Sequence, residues 1–232
     1  WYGKEKVSKM KEMCRKYRHA LPLIIYGIVY LAWFSHLEKT VTRGYTVIHV
    51  ALDDYIPFCE VFVIPYFLWF SYVAFVVMYF FFKDKEDYYK TCMFLFTGMT
   101  IFLLVSTIFP NGHHLRPRVM PRDNIFTAMV AWLYRTDTPT NLWPSIHVYN
   151  SLGAHFAITR SKHFANNRGA KALSLVLCIS IILSTMFIKQ HSVWDVATAF
   201  AMAGVMYMVV YSEDSILGLK RRRKRERRPQ IG

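Results

Sequence analysis

An all-α, polytopic membrane protein with six transmembrane helices follows from three features of this sequence. Of its 232 residues 54% are hydrophobic and 17% aromatic, which is too apolar for an ordinary soluble domain. The apolar residues gather into runs of membrane-spanning length. The net charge of +14 sits mainly at the ends, +5 in residues 1–20 and +7 in residues 220–228. Such a distribution orients a membrane protein, whereas a nucleic-acid reader needs a basic face and a readout fold, and none is visible. Anionic lipid headgroups are the expected partners of the basic ends.

Residues 1–19 read as a basic, helix-compatible cytoplasmic segment. The first apolar run, Ala20 to Phe34, is short for a span and closes at His36 and Glu38. Leu37 to Glu60 reads as a mixed loop carrying Asp53, Asp54 and Pro57. Val61 to Phe82 is the clearest span, free of formal charge. Lys83 to Lys90 reads as a charged hairpin loop, and Thr91 to Phe109 as the third span. Within the long connection from Pro110 to Trp143, Asp123 to Tyr134 is amphipathic. Asp123 suits an N-cap, and Ile125, Phe126, Met129, Val130 and Leu133 recur at helical spacing. This piece is expected either in the outer membrane interface or packed on the bundle. Pro144 suits the first turn of a fourth span to about Thr159, and Asn150, Ser151, Gly153 and His155 turn that span toward protein rather than lipid. Arg160 to Lys171 is a polar, basic loop. Ala172 to Ile188 and Val193 to Tyr211 complete a 20–211 membrane domain, and residues 212–232 form a basic cytoplasmic tail.

Six spans place both ends on one side, and their basic residues make that side cytoplasmic. The loops agree, because residues 160–171 carry four Lys/Arg and no acid, whereas residues 37–60 carry two basic residues against Glu38, Asp53, Asp54 and Glu60. Of the cysteines only Cys59 then lies near the outer face, so no disulfide is expected, and no C-x-x-C metal spacing exists.

This topology brings three polar islands to the outer side: Asn111 to Pro117, Pro144 to His147, and Lys189 to Asp195. Arg116 can fork two donors onto phosphate oxygens. A helix starting at Pro144 leaves the Ser145 and Ile146 N–H groups free as an anion site, reinforced by the Ser145 hydroxyl. His147 lies within reach of a leaving-group oxygen. Asp195, four residues after His191 on the same helical face, can fix its tautomer and leave the other ring nitrogen to attack phosphorus. Each residue also has a plainer reading. His155 and His36 suit interhelical hydrogen bonding, Arg116 could anchor to lipid phosphate, and Asp195 could pair with a nearby Lys.

With these motifs in order, the chain resembles the type 2 phosphatidic acid phosphatase superfamily, whose patterns are K-x6-R-P, P-S-x-H and S-R-x5-H-x3-D. Arg116-Pro117 matches the end of the first, Pro144-Ser145-Ile146-His147 the second, and Ser184, His191 and Asp195 most of the third. The resemblance covers roughly Thr91 to Tyr211. It implies a six-helix core in which His191 is the nucleophile, Asp195 orients it, and His147 is general acid and then base. Arg116 and Ser145 would hold phosphate, with no cofactor and no metal. Phe109 stands where the family's Lys is expected and Thr185 where its second Arg is expected. Lys189, His113 and His114 are the candidate replacements, with Asn111 a further candidate on the same island. Loss of those cations, together with Leu52 to Phe58, is similar to the sphingomyelin and inositol phosphorylceramide synthase branch, where a diester headgroup moves to another alcohol.

The expected function is therefore removal of phosphate from a lipid phosphate or diphosphate at the outer leaflet of a bacterial plasma membrane. The alternative is transfer of a phospho-headgroup to a lipid alcohol. Two other classes use the same residues. A proton-relay transporter would use the intramembrane His and Asp, but no inverted repeat is present. A metal protein would use His113, His114, His147 and His191.

Overall fold

The computed structural model describes residues 17–18 and 20–211; the rest of the basic N-terminal segment and the basic tail lie outside the described residues. Among the described residues the fold is all-helical apart from one minimal strand pair. Eight α-helices follow in order among the described residues: α1 (Ala20–Thr40), α2 (Leu52–Tyr55), α3 (Val63–Lys83), α4 (Lys85–Ile108), α5 (Ile125–Thr136), α6 (Ile146–Arg160), α7 (Arg168–Phe187) and α8 (Val193–Val210). Strands β1 (Thr46–Val47) and β2 (Asn111–Gly112) pair in parallel. A 3-10 turn, Glu60–Phe62, leads into α3.

Five helices among the described residues are long and apolar enough to cross a membrane: α1, α3 with its leading turn, α4, α7 and α8. The fourth expected span is α6, which at 15 residues is shorter than a crossing helix requires. It packs against α3, α4, α7 and α8 at the centre of the bundle. Its composition explains that place, since Asn150, Ser151, Gly153 and Ala154 are all buried. The polar groups are met inside the protein. Ser151 Oγ donates to the His147 carbonyl at 2.7 Å, and His155 Nδ1 shares a hydrogen bond of 2.9 Å with Ser174 on α7. Small residues let the neighbouring backbones approach closely.

The α4–α6 contact is reciprocal. Gly98 on α4 receives the Tyr149 ring of α6, and Gly153 on α6 receives the Phe94 ring of α4. The two rings stack at 4.7 Å, and the Tyr149 hydroxyl donates to the Phe94 carbonyl at 2.8 Å, so neither can move aside. A Cβ at Gly98 would overlap the Tyr149 ring, whereas one at Gly204 on α8 meets nothing within 4 Å. Gly98→Ala is expected to destabilise the protein by about 3 kcal/mol, the upper range for overpacking a filled core. Gly204→Ala should leave stability unchanged or slightly raised. Thermal unfolding in detergent compares the two, and equal Tm values would refute the tight contact.

Several boundaries differ from the sequence reading. The expected hairpin loop Lys83–Lys90 is a single residue, Asp84, whose side chain accepts from the Glu86 and Asp87 amides and starts α4 at Lys85. Capping and two acids in the first turn outweigh the charge density that suggested a loop. Helix α1 runs on through His36 and Glu38 to Thr40. The amphipathic helix is capped by Asn124, not Asp123, in a capping box with Thr127. Its Val130 and Leu133 pack with Val63, Tyr66 and Ile188, while Ile125 is exposed. The loop from Leu37 to Glu60 holds β1 and α2, which the sequence reading did not anticipate.

Candidate active site

His191 lies in the tight turn between α7 and α8, one residue before the α8 N-cap Ser192, rather than on the helix itself. Hydrogen bonds from several elements fix that turn. The Gln190 and His191 amides donate to the Thr185 carbonyl at 2.9 and 3.0 Å, and the Cys59 amide reaches the Phe187 carbonyl at 2.9 Å. The Tyr134 hydroxyl donates to the Ile188 carbonyl at 2.6 Å, and His113 Nε2 bonds the Gln190 carbonyl at 2.9 Å. Lys189 takes a left-handed conformation at φ 53°, which tightens the turn.

The catalytic candidates form a line. Asp195 occupies the third position of α8, in a capping box with Ser192, and its Oδ2 accepts from the Ser192 amide at 2.9 Å and from His191 Nδ1 at 3.3 Å. The carboxylate thus places the His191 proton on Nδ1 and leaves Nε2 with a lone pair. That nitrogen lies 3.3 Å from His147 Nδ1, at the second position of α6. Asp195 and His191 are buried. On the far side of His147 stand the rings of Tyr66 and Trp69 from α3, at 4.7 and 4.3 Å.

The anion site expected at the start of α6 is partly taken. The Ser145 amide donates to the Asp195 carbonyl at 3.3 Å, and the Ser145 hydroxyl caps its own helix by accepting from the Val148 amide. The Ile146 and His147 amides are first-turn donors with no intrahelical acceptor, and both residues line the chamber beside His191.

The expected phosphate cations are engaged elsewhere. Arg116 donates to the carbonyls of Tyr134, Asp137 and Thr138 and to Gln190 Oε1, at 3.3, 2.8, 3.2 and 2.5 Å. It also lies 4.5 Å over the Tyr134 ring and 4.0 Å from the Asp137 carboxylate. Burial lowers its pKa from the usual value, and the Asp137 charge opposes that. Lys189 Nζ donates to the Asp53 and Ile56 carbonyls at 2.9 and 2.6 Å. His113 accepts from the Leu115 amide on Nδ1, and burial pushes its pKa down to about 3, so it is a neutral brace. Asn111 Oδ1 accepts the Leu142 and Trp143 amides, both at 2.9 Å, and so sets the approach to Pro144. His114 is exposed beside the Tyr45 ring. The four histidines considered for metal binding do not converge, since His113 gives both ring nitrogens to backbone groups. The Leu52 to Phe58 segment is also scaffold. Its buried Asp53 accepts from Ser192 Oγ at 2.7 Å and the Val193 amide at 2.8 Å, clamping the start of α8.

Two neighbouring spaces share His147 in their lining. One is an apolar groove of about 530 Å³ walled by α1, α3 and α4, with Tyr30, Phe34, Tyr66, Trp69 and Met99 among its lining. The other is a chamber of about 30 Å³ lined by Glu38, Tyr66, Asp137, Asn141, His147 and His191, among others. Asp137 and His147 face both. Burial pushes the Asp137 carboxyl up to about 6 against the pull of Arg116. Sequence reading missed Asp137, Gln190, Tyr66 and Asn141, and took Glu38 only as the end of a span. The available signals were the Asp137 to Asn141 polar stretch and Tyr66 and Trp69 three residues apart. No family model, curated protein or solved structure matches this chain.

Proposed function

We propose that this chain is an integral membrane phosphoesterase that removes phosphate from a lipid phosphate or diphosphate through a phosphohistidine on His191. The observation that carries this reading is the hydrogen-bonded line from Asp195 through His191 to His147, placed where an apolar groove meets a polar chamber. The groove suits a lipid tail, and the unpaired Ile146 and His147 amides suit a phosphoryl oxygen. Attack by His191 Nε2 forms the N–P bond and breaks the bond from phosphorus to the lipid oxygen. Protonated His147 gives its Nδ1 proton to that leaving oxygen. The neutral ring then takes a proton from water, whose oxygen displaces His191 from phosphorus.

A second reading is favoured by one observation, that no Lys or Arg lines the chamber among the described residues. A phosphate monoester carries close to two charges and a diester one, so transfer of a diester headgroup to a lipid alcohol needs fewer cations. In either case the proposed topology has α6 as a sixth crossing, both termini cytoplasmic and the site facing the outer leaflet. Cysteines placed at exposed Val119 and Lys162 report on this, with only the first labelled from outside in sealed cells.

The deciding experiment offers purified protein phosphatidic acid and a phosphodiester lipid, each with and without a lipid alcohol. Inorganic phosphate from phosphatidic acid, independent of acceptor, is the expected result. Acceptor-dependent transfer of an intact headgroup would establish the second reading instead, and no turnover of either lipid would refute both.

A further inference from the structure

The chamber beside His191 is rich in hydrogen-bond acceptors. Glu38 reaches it from the end of α1, Asp137 from the end of α5, and Thr140 and Asn141 from the loop between α5 and α6. Glu38 Oε2 accepts from the Thr138 hydroxyl at 2.6 Å and its Oε1 from Asn141 Nδ2 at 3.0 Å, and no Lys or Arg pairs with it among the described residues. The Asn141 amide is oriented by that bond, and its Oδ1 is left buried without a partner on a residue only 4% exposed. A buried acceptor without a donor costs free energy, so its presence at a cavity wall points to a ligand that brings the donor. Arg116 lies behind Asp137 and does not line the space.

We infer that this chamber is a headgroup subsite for a lipid phosphodiester ending in a small hydrogen-bond donor, a primary ammonium or a hydroxyl, held by Glu38 and Asn141. The chamber's volume of about 30 Å³ decides the size class. That is room for about one water-sized group. A terminal NH3+ or OH fits, a trimethylammonium does not, and a headgroup ending in a methyl leaves the acceptors unmet. The inference rests on the second reading, transfer of a diester headgroup, takes the location of the reacting phosphorus from it and adds the class of headgroup.

The test measures binding, so that it stands apart from turnover. Wild-type protein in detergent is titrated calorimetrically with short-chain phosphonate analogues, whose carbon–phosphorus bond in place of the glycerol ester cannot be broken. Four headgroups are compared: ethanolamine, glycerol, choline and methyl. The ethanolamine or the glycerol analogue is expected to bind roughly tenfold tighter than the methyl analogue, the worth of one hydrogen bond to a charged group, with choline no better than methyl. Which of the two leads tells ammonium from hydroxyl. Glu38→Gln should bring that advantage to within about twofold while leaving the methyl analogue's affinity unchanged, because the amide keeps the shape but loses the charge and one acceptor. Equal affinities for all four headgroups, a choline analogue that binds best, or a Glu38→Gln loss shared equally by all four would overturn the inference. A wild-type preference would stand as support even if the variant failed to fold. Absence of turnover in the separate assay would count against the proposed function alone.

Discussion

His191→Ala is expected to lower turnover by on the order of 10⁴-fold or more, the scale of losing a nucleophile and the group that activates it. The protein should remain folded, because the turn that carries His191 is held by the backbone of Gln190 and Ile188 and by the His191 amide, none of which needs the imidazole. The side chain's own bonds are to Asp195 and His147. His147→Ala should slow the reaction by roughly two to four orders of magnitude, as for a lost general acid and base, yet still allow a phosphoprotein to form with a substrate whose leaving group needs no proton. Rapid quenching separates the two roles. An acid-labile phosphoprotein should accumulate in wild type and in His147→Ala with such a substrate, and be absent from His191→Ala. A phosphoprotein in the His191→Ala sample would place the nucleophile elsewhere.

Arg116→Ala is expected to destabilise the protein by about 3 kcal/mol, because it strips donors from three carbonyls and one side-chain amide and leaves the half-buried Asp137 carboxylate without its cation. Activity should fall as well, since Gln190 adjoins His191 and is bonded to both Arg116 and Asp137. Arg116→Lys should not rescue either property, because a single ammonium cannot reproduce a planar fork that reaches four acceptors. Comparing the Tm of unliganded wild type and variants decides between a clamp and a phosphate ligand. A clamp lowers the Tm without substrate present, whereas a pure phosphate ligand would leave it unchanged and raise KM. Lys189→Ala should behave as a milder clamp loss, freeing the Asp53 and Ile56 carbonyls at the edge of the same turn.

The two kinds of outcome have a common cause. The pairing of His191 with Asp195 was legible because only four residues separate them, and the place of His147 because it is the second residue of a helix capped by Ser145, whereas His147 meets His191 across 44 residues. A cation's target has no such local signature. Arg116 meets Gln190 across 74 residues and Lys189 meets Asp53 across 136, so type and position could not tell a phosphate ligand from a brace.

By itself the sequence determined the all-helical class with helices apolar enough to cross a membrane, the turning of the polar helix α6 toward protein, and the pairing of Asp195 with His191. These rest on composition, on hydropathy summed over whole segments, and on distances of a few residues, which the chain enforces locally. Only the tertiary structure decided which charged groups face the chamber beside His191. Glu38, Asp137 and Asn141 line the same chamber as His147 and His191 because α1 ends beside the loop that follows α5, while backbone carbonyls turn Arg116 and Lys189 away. A buried donor goes to whichever acceptors packing brings within 3 Å, and that choice is fixed only when all the helices are in place.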